Sequence, residues 1–300
     1  MNNSQPLPTI ERLAFPVAAF LAIVALALAP NLISPMVQVV GLAIVVIVLG
    51  LPHGALDPWI AETVGLRTSP RQSVAFIAIY LSMAVAVVLV WIWLPVASLL
   101  MFLLISAWHF SGDWARDANR PVRLCAGTLL LLMPIGFHTQ NVAMLFSHLS
   151  GEGGWALAYA LALPVWLLAG AMVALIAFAS WQRQWLFALE CLGLLCLAYV
   201  ATPLIYFALY FCVLHSPRHL LGLFRCAHPE QRPRLLRMTV TYTLATLMLV
   251  GALGWVWSAL PLDSLVLRLI FIGLAAVTVP HMLLIAIAHV RQLPSAKGRI

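Results

Sequence analysis

The sequence predicts an all-α protein, a polytopic bundle of transmembrane helices, and three observations carry that prediction. Of 300 residues, 64% are apolar and only 8% are charged, against roughly 25% charged in soluble domains. The apolar residues fall in successive runs of the length that crosses about 30 Å of hydrocarbon as a helix, about 20 residues. The arginines collect in the short segments on one side of these runs. Too few polar residues remain to cover a water-soluble globule. The same figures exclude disorder, coiled coil, collagen and a disulfide-stapled secreted fold. A single integral membrane domain over residues 1–300 is expected.

Ten spans are expected, with eight as the lower bound. The first is Leu13–Ala29. Its ALALAP end has the look of a signal-peptidase site, but Pro30 follows directly and the apolar length favours an uncleaved span. Pro35–Leu51 is the second. The stretch from Val74 to Phe110 is almost unbroken, and as one helix it would reach roughly 55 Å. It must fold back, and Pro95, behind the interfacial pair Trp91 and Trp93, is the corner. That gives Val74–Leu94 and Val96–Phe110. Val122–Phe137 and Trp155–Ala179 follow. The overlong run from Trp185 to Phe224 turns near Thr202-Pro203, giving Trp185–Ala201 and Pro203–Phe224. Leu235–Leu260 and Leu262–Val290 complete the set.

The charges sort with this order. With the N-terminus inside, the inner segments hold Arg12; Arg67 and Arg71; Arg116, Arg120 and Arg123; Arg183; Arg218, Arg225, Arg232, Arg234 and Arg237; and Arg291, Lys297 and Arg299. Arg268 alone is out of place. An even number of spans with both termini cytoplasmic satisfies the positive-inside rule. The net charge of +7 is therefore a topology signal, and no nucleic-acid partner is expected. The five cysteines (Cys125, Cys191, Cys196, Cys212, Cys226) contain no CxxC pair and imply neither disulfides nor a zinc site.

Ionisable residues inside membrane helices are costly, so each one points to function. His53 closes the second span in GLPHGALD, and His109 closes the fourth in AWHFSGD. His215 and His219 lie in the inner half of the eighth, in LHSPRH. All four fall towards the cytoplasmic ends of three helices, where they can converge. His215 and His219 are one turn apart, as two ligands of one ion would be. His53 with Asp57, and His109 with Asp113, repeat that spacing. A carboxylate one turn from an imidazole can accept its second N–H and raise its basicity as a ligand. The alternative for Asp57 and Asp113 is an inner-surface carboxylate paired with Arg67 or Arg116. His281, beside Pro280, is either a fifth site residue, contacting substrate, or a packed histidine. His138 and His148 fall on the opposite side as interfacial residues, His228 belongs to a solvated loop, and His289 snorkels. Glu152 and Glu190 receive no role.

All-imidazole ligation without a convergent thiolate suits iron, zinc, copper or nickel. Four histidines around octahedral Fe(II) leave two positions free, whereas four close a zinc site. The walls are apolar, so the substrate arrives through lipid, and oxidation of a lipophile is the expected class of reaction. Hydrolysis is disfavoured by the absence of an HExxH helix or a Ser/His/Asp order.

At these residues the sequence resembles the Brp/Blh membrane β-carotene 15,15′-dioxygenases. The matching elements are GLPHGALD around His53, HF-x-x-D at His109, HSPRH at His215 and His219, and the later Pro280-His281. They span about Gly50 to His281. The resemblance implies a non-haem Fe2+ enzyme of the bacterial inner membrane that splits the central double bond of β-carotene, or a related carotenoid, with O2 into two molecules of retinal. It also implies His53, His109, His215 and His219 as the iron ligands, and an opsin as the downstream acceptor of the product. A carotenoid crossing the bilayer has its central bond near the midplane, above these ligands. An oblique tunnel lined by Phe and Trp and opening to the inner leaflet is therefore expected. Two other readings compete. A transporter or proton-coupled carrier would use the buried His and Asp as relays, and a bis-His haem protein would set histidines facing each other across the bundle.

Overall fold

A computed structural model describes residues 9–29, 33–114 and 118–292. Among them every regular element is helical. The helices are α1 (Thr9–Leu28), α2 (Pro35–Thr63), α3 (Pro70–Trp93), α4 (Pro95–Trp114) and α5 (Arg120–Phe137). Two short helices follow, α6 (Thr139–Ser150) and α7 (Gly153–Leu161). The remainder are α8 (Val165–Trp181), α9 (Trp185–Val200), α10 (Pro203–Cys226), α11 (Arg232–Val256) and α12 (Leu262–Gln292).

The starts are written locally. Pro35, Pro70, Pro95 and Pro203 each occupy the first helical position, where a missing N–H costs nothing. Ser34, Ser69 and Asn119 cap α2, α3 and α5 by accepting from the backbone N–H of Val37, Gln72 and Val122. The two corners expected from over-length fall where the prolines stand, between Trp93 and Pro95 and between Val200 and Pro203.

Seven helices are long and apolar enough to cross a membrane, and α7 with α8 makes an eighth if the pair crosses as one span. Leu13–Leu28 and α9 are apolar but shorter. Ten helical regions correspond to the expected spans, and seven or eight of them have full crossing length. Two differences are local. Trp155–Ala179 is not one straight helix but is bent by 54° between α7 and α8, because Pro164 supplies no N–H and disfavours helix at the residue before it. Helix α6 stands where a loop was expected. Pro30, Arg116, Lys297 and Arg299 lie outside the described residues.

Helix α3 buries only Trp91, and large apolar side chains such as Leu28, Trp93 and Trp255 are exposed. In water such a surface would associate; against hydrocarbon it needs no cover. Inside, α4 and α5 meet backbone to backbone: a Cβ on Gly127 would collide with the carbonyl of Ala107. Helix α6 caps the end of the bundle at which α4 begins. The Trp91 indole donates to the Leu149 carbonyl at 3.0 Å, and Arg268 Nε donates to the His148 carbonyl at 2.8 Å. Arg268, the charge that broke the sorting, is thus tied to a carbonyl at a helix end.

Candidate metal centre

Two helices leave α-geometry at the site. Helix α2 widens into a π turn over Val46–Gly50 and tightens into a 3-10 turn over Leu51–His53. Helix α10 widens over Tyr210–His215. In each, a proline stands two residues after the widened turn, Pro52 and Pro217, and removes the N–H that would continue the ladder. The displaced carbonyls gain side-chain donors. His53 Nδ1 donates to Gly50 O at 2.6 Å, and the Ser216 hydroxyl donates to Leu49 O. The two widened turns pack together, with a Cβ on Gly50 falling 2.8 Å from Phe211 Cε1, so glycine sets their approach.

Five imidazoles converge there. Ring centroids of His53 lie 5.4 Å from His215, 5.9 Å from His219 and 5.5 Å from His281. His109 lies 4.9 Å from His215 and 5.6 Å from His281, and His219 lies 5.1 Å from His281. Donor atoms of His53, His109 and His281 all fall within 4.8 Å of one another. His281, left open by the sequence, stands in the cluster.

The carboxylates are present at the cluster, but they serve different histidines from those their spacing suggested. Asp113 accepts from His215 Nδ1 at 3.0 Å and from the Tyr210 hydroxyl at 2.6 Å. Asp57 accepts from His281 Nδ1 at 2.7 Å and from the Tyr80 hydroxyl at 2.8 Å. The rule of one turn per four residues holds only in continuous α-helix. Between His53 and Asp57 the chain passes through turns, and Asp113 lies in a 3-10 turn, Ser111–Trp114, where four residues overshoot a turn by about 120°. Arg67 is not the partner of Asp57; its Nε donates to Ser73.

With Nδ1 of His53, His215 and His281 each donating outward, the Nε2 lone pair is left facing inward. Nε2 of His215, His219 and His281 is buried without a hydrogen-bond partner among the described residues. An unpaired buried acceptor costs about 1–3 kcal/mol, and three together, two of them on imidazoles held from behind by a carboxylate, fit a transition-metal ion.

Sequence reasoning passed over a second layer. Arg218, between His215 and His219, donates to the backbone carbonyl of Asp113 at 3.0 Å and pairs with Glu190 at 2.5 Å. The Trp114 indole donates to the same Glu190 at 2.8 Å. Glu190 is a carboxylate within an apolar helix, and Tyr80 and Tyr210 are hydroxyls within apolar runs; their cost there was the available signal. Away from the site, His138 donates to the Ala198 carbonyl and His148 meets the Ser264 hydroxyl. His228 and His289 are exposed.

An apolar chamber with a cavity volume of about 100 Å³ adjoins the cluster. His53, His109 and His215 form one wall; Leu99, Phe102 and Ser106 of α4, Phe207 and Phe211 of α10, and Phe271 and Leu274 of α12 form the sides. Leu145, Phe146 and Leu149 of α6 stand at the far end. Most side-wall residues precede the histidines along their helices, so the chamber runs from the cluster towards α6, away from the arginine-rich turns. Phenylalanines line it as expected, and among the described residues no tryptophan does.

Residues 44–289 match the family described as β-carotene 15,15′-dioxygenase. A protein named β-carotene 15,15′-dioxygenase from an uncultured marine bacterium, 66A03, is 32% identical over 250 residues, which cover 80% of this chain and 90% of that protein. No solved structure matches.

Proposed function

The chain belongs to the β-carotene 15,15′-dioxygenase family of enzymes, and from that premise we propose that it binds non-haem Fe2+ and cleaves the central double bond of β-carotene, or a close relative, with O2 into two retinal molecules. His53, His109, His215 and His219 hold the iron. One observation carries the reading: His53, His109 and His215 wall an apolar, phenylalanine-rich chamber, and in the same cluster Nε2 of His215, His219 and His281 is buried without a hydrogen-bond partner among the described residues.

The protein's own part is positional. Asp113 and Asp57 hold two of the imidazoles in a fixed tautomer and raise their basicity. The chamber takes a polyene from lipid and excludes water, presenting its electron-rich double bonds to the histidine wall. Ferrous iron, when bound, supplies the activation of dioxygen. In the balanced reaction the double bond is broken and each carbon receives one oxygen atom as an aldehyde. The chain resides in a bacterial inner membrane with both termini cytoplasmic, as a single domain, and an opsin is a fitting consumer of retinal.

Expression in a host that accumulates β-carotene tests this. Bleaching with retinal formation is expected, while unchanged pigment with the protein folded in the membrane overturns the substrate. His215→Ala or His219→Ala should abolish both iron binding and bleaching; full activity in either removes that residue from the ligand set.

A further inference from the structure

Resting on that metalloenzyme reading, we propose that His281 is a direct ligand of the same metal ion, making the centre one of five imidazoles. Three observations carry the assignment. First, His281 is held like His215. In each case a tyrosine hydroxyl donates to an aspartate that accepts the imidazole Nδ1–H: Tyr210, Asp113 and His215 on one side, Tyr80, Asp57 and His281 on the other. A packed histidine needs only one acceptor; a two-step support fixes ring orientation and raises basicity at Nε2. Second, that Nε2 is buried, with no partner among the described residues, in a side chain 3% exposed. Third, donor atoms of His53, His109 and His281 lie within 4.8 Å of one another, so the three can share one ion.

The placement also divides the cluster. His53, His109 and His215 line the chamber, whereas His219 and His281, 5.1 Å apart, stand outside its lining. His281 thus closes the centre from behind. Five protein donors leave one position of an octahedral ion instead of two, and the chamber alone then has to place the polyene.

The test uses the full-length protein in detergent, with Co(II) as the probe. Cobalt-loaded His281→Cys should show a thiolate-to-cobalt charge-transfer band, which only direct ligation produces. Thr278→Cys, on the chamber wall of the same helix, should bind cobalt without that band. In His281→Gln, metal affinity measured against a competing chelator should fall by about tenfold or more, at least the loss expected from disturbing a supporting residue. Cobalt bound by His281→Cys with no band overturns the assignment. If the cysteine variant takes up no cobalt, the glutamine variant decides, and wild-type affinity there overturns it. A wild-type protein that binds neither iron nor cobalt would instead overturn the metalloenzyme reading itself.

Discussion

Single side chains at this site act through what stands behind them. Asp113 joins His215 to Tyr210, so Asp113→Asn should weaken iron retention by about 10–100-fold, as loss of a ligand's supporting partner does, in a chelator titration. Unchanged affinity would mean that the carboxylate does not govern the imidazole. Glu190 lies one layer further out, with a side chain 1% exposed and paired to Arg218. Breaking such a pair strands a buried charge and costs about 3–5 kcal/mol. Glu190→Gln should therefore lower the unfolding midpoint markedly in a thermal or detergent denaturation series. Its iron affinity should fall as well, because Arg218 also holds the Asp113 carbonyl. The histidines and aspartates were legible from residue type and depth. Tyr80, Tyr210, Glu190 and Arg218 were not, since each makes its contact across a helix interface that no local spacing encodes.

Helices position these groups by where they depart from regularity. The π turns in α2 and α10 end two residues before Pro52 and Pro217, and carbonyls at the end of the α2 turn orient His53 and anchor Ser216 of α10. What the prolines could not reveal is the rotation they impose, which separates His53 from Asp57. Close approach matters as much. Gly127 admits the Ala107 carbonyl of α4 two residues before His109. Gly127→Ala should cost about 1–3 kcal/mol through overpacking, seen as a lower thermal midpoint, and should reduce iron occupancy by shifting His109. Retained occupancy would show that α4 can slide without disturbing the centre. The bend of α7 against α8 follows from Pro164, whereas α6 carries no comparable marker: it is a short segment of mixed polarity (TQNVAMLFSHLS) at a membrane end, with no proline to set its start.

Across the molecule, the chamber and the cluster form one unit bounded by α4, α6, α10 and α12. Ser106 is a small, buried residue on that wall, one turn before His109. Ser106→Phe should narrow the chamber beside the histidines and cut turnover by more than about tenfold, equivalent to about 1.4 kcal/mol, with iron content unchanged. Unaltered turnover would place the polyene elsewhere. The direction of the chamber was not legible beforehand. Depth along each helix locates a histidine, but the course of a void depends on which side chains of several helices fail to fill it.

By itself, the sequence determined the helical membrane class, the proline corners and the inventory of histidines and aspartates at one depth, because apolar length and charge sorting are properties of the chain alone. Only the tertiary structure decided that Asp57 serves His281, that Asp113 serves His215, and that a fifth imidazole stands against His53, His109 and His219. The reason is that side-chain direction depends on local helical twist and on the neighbour across an interface, and the π and 3-10 turns at this site alter both.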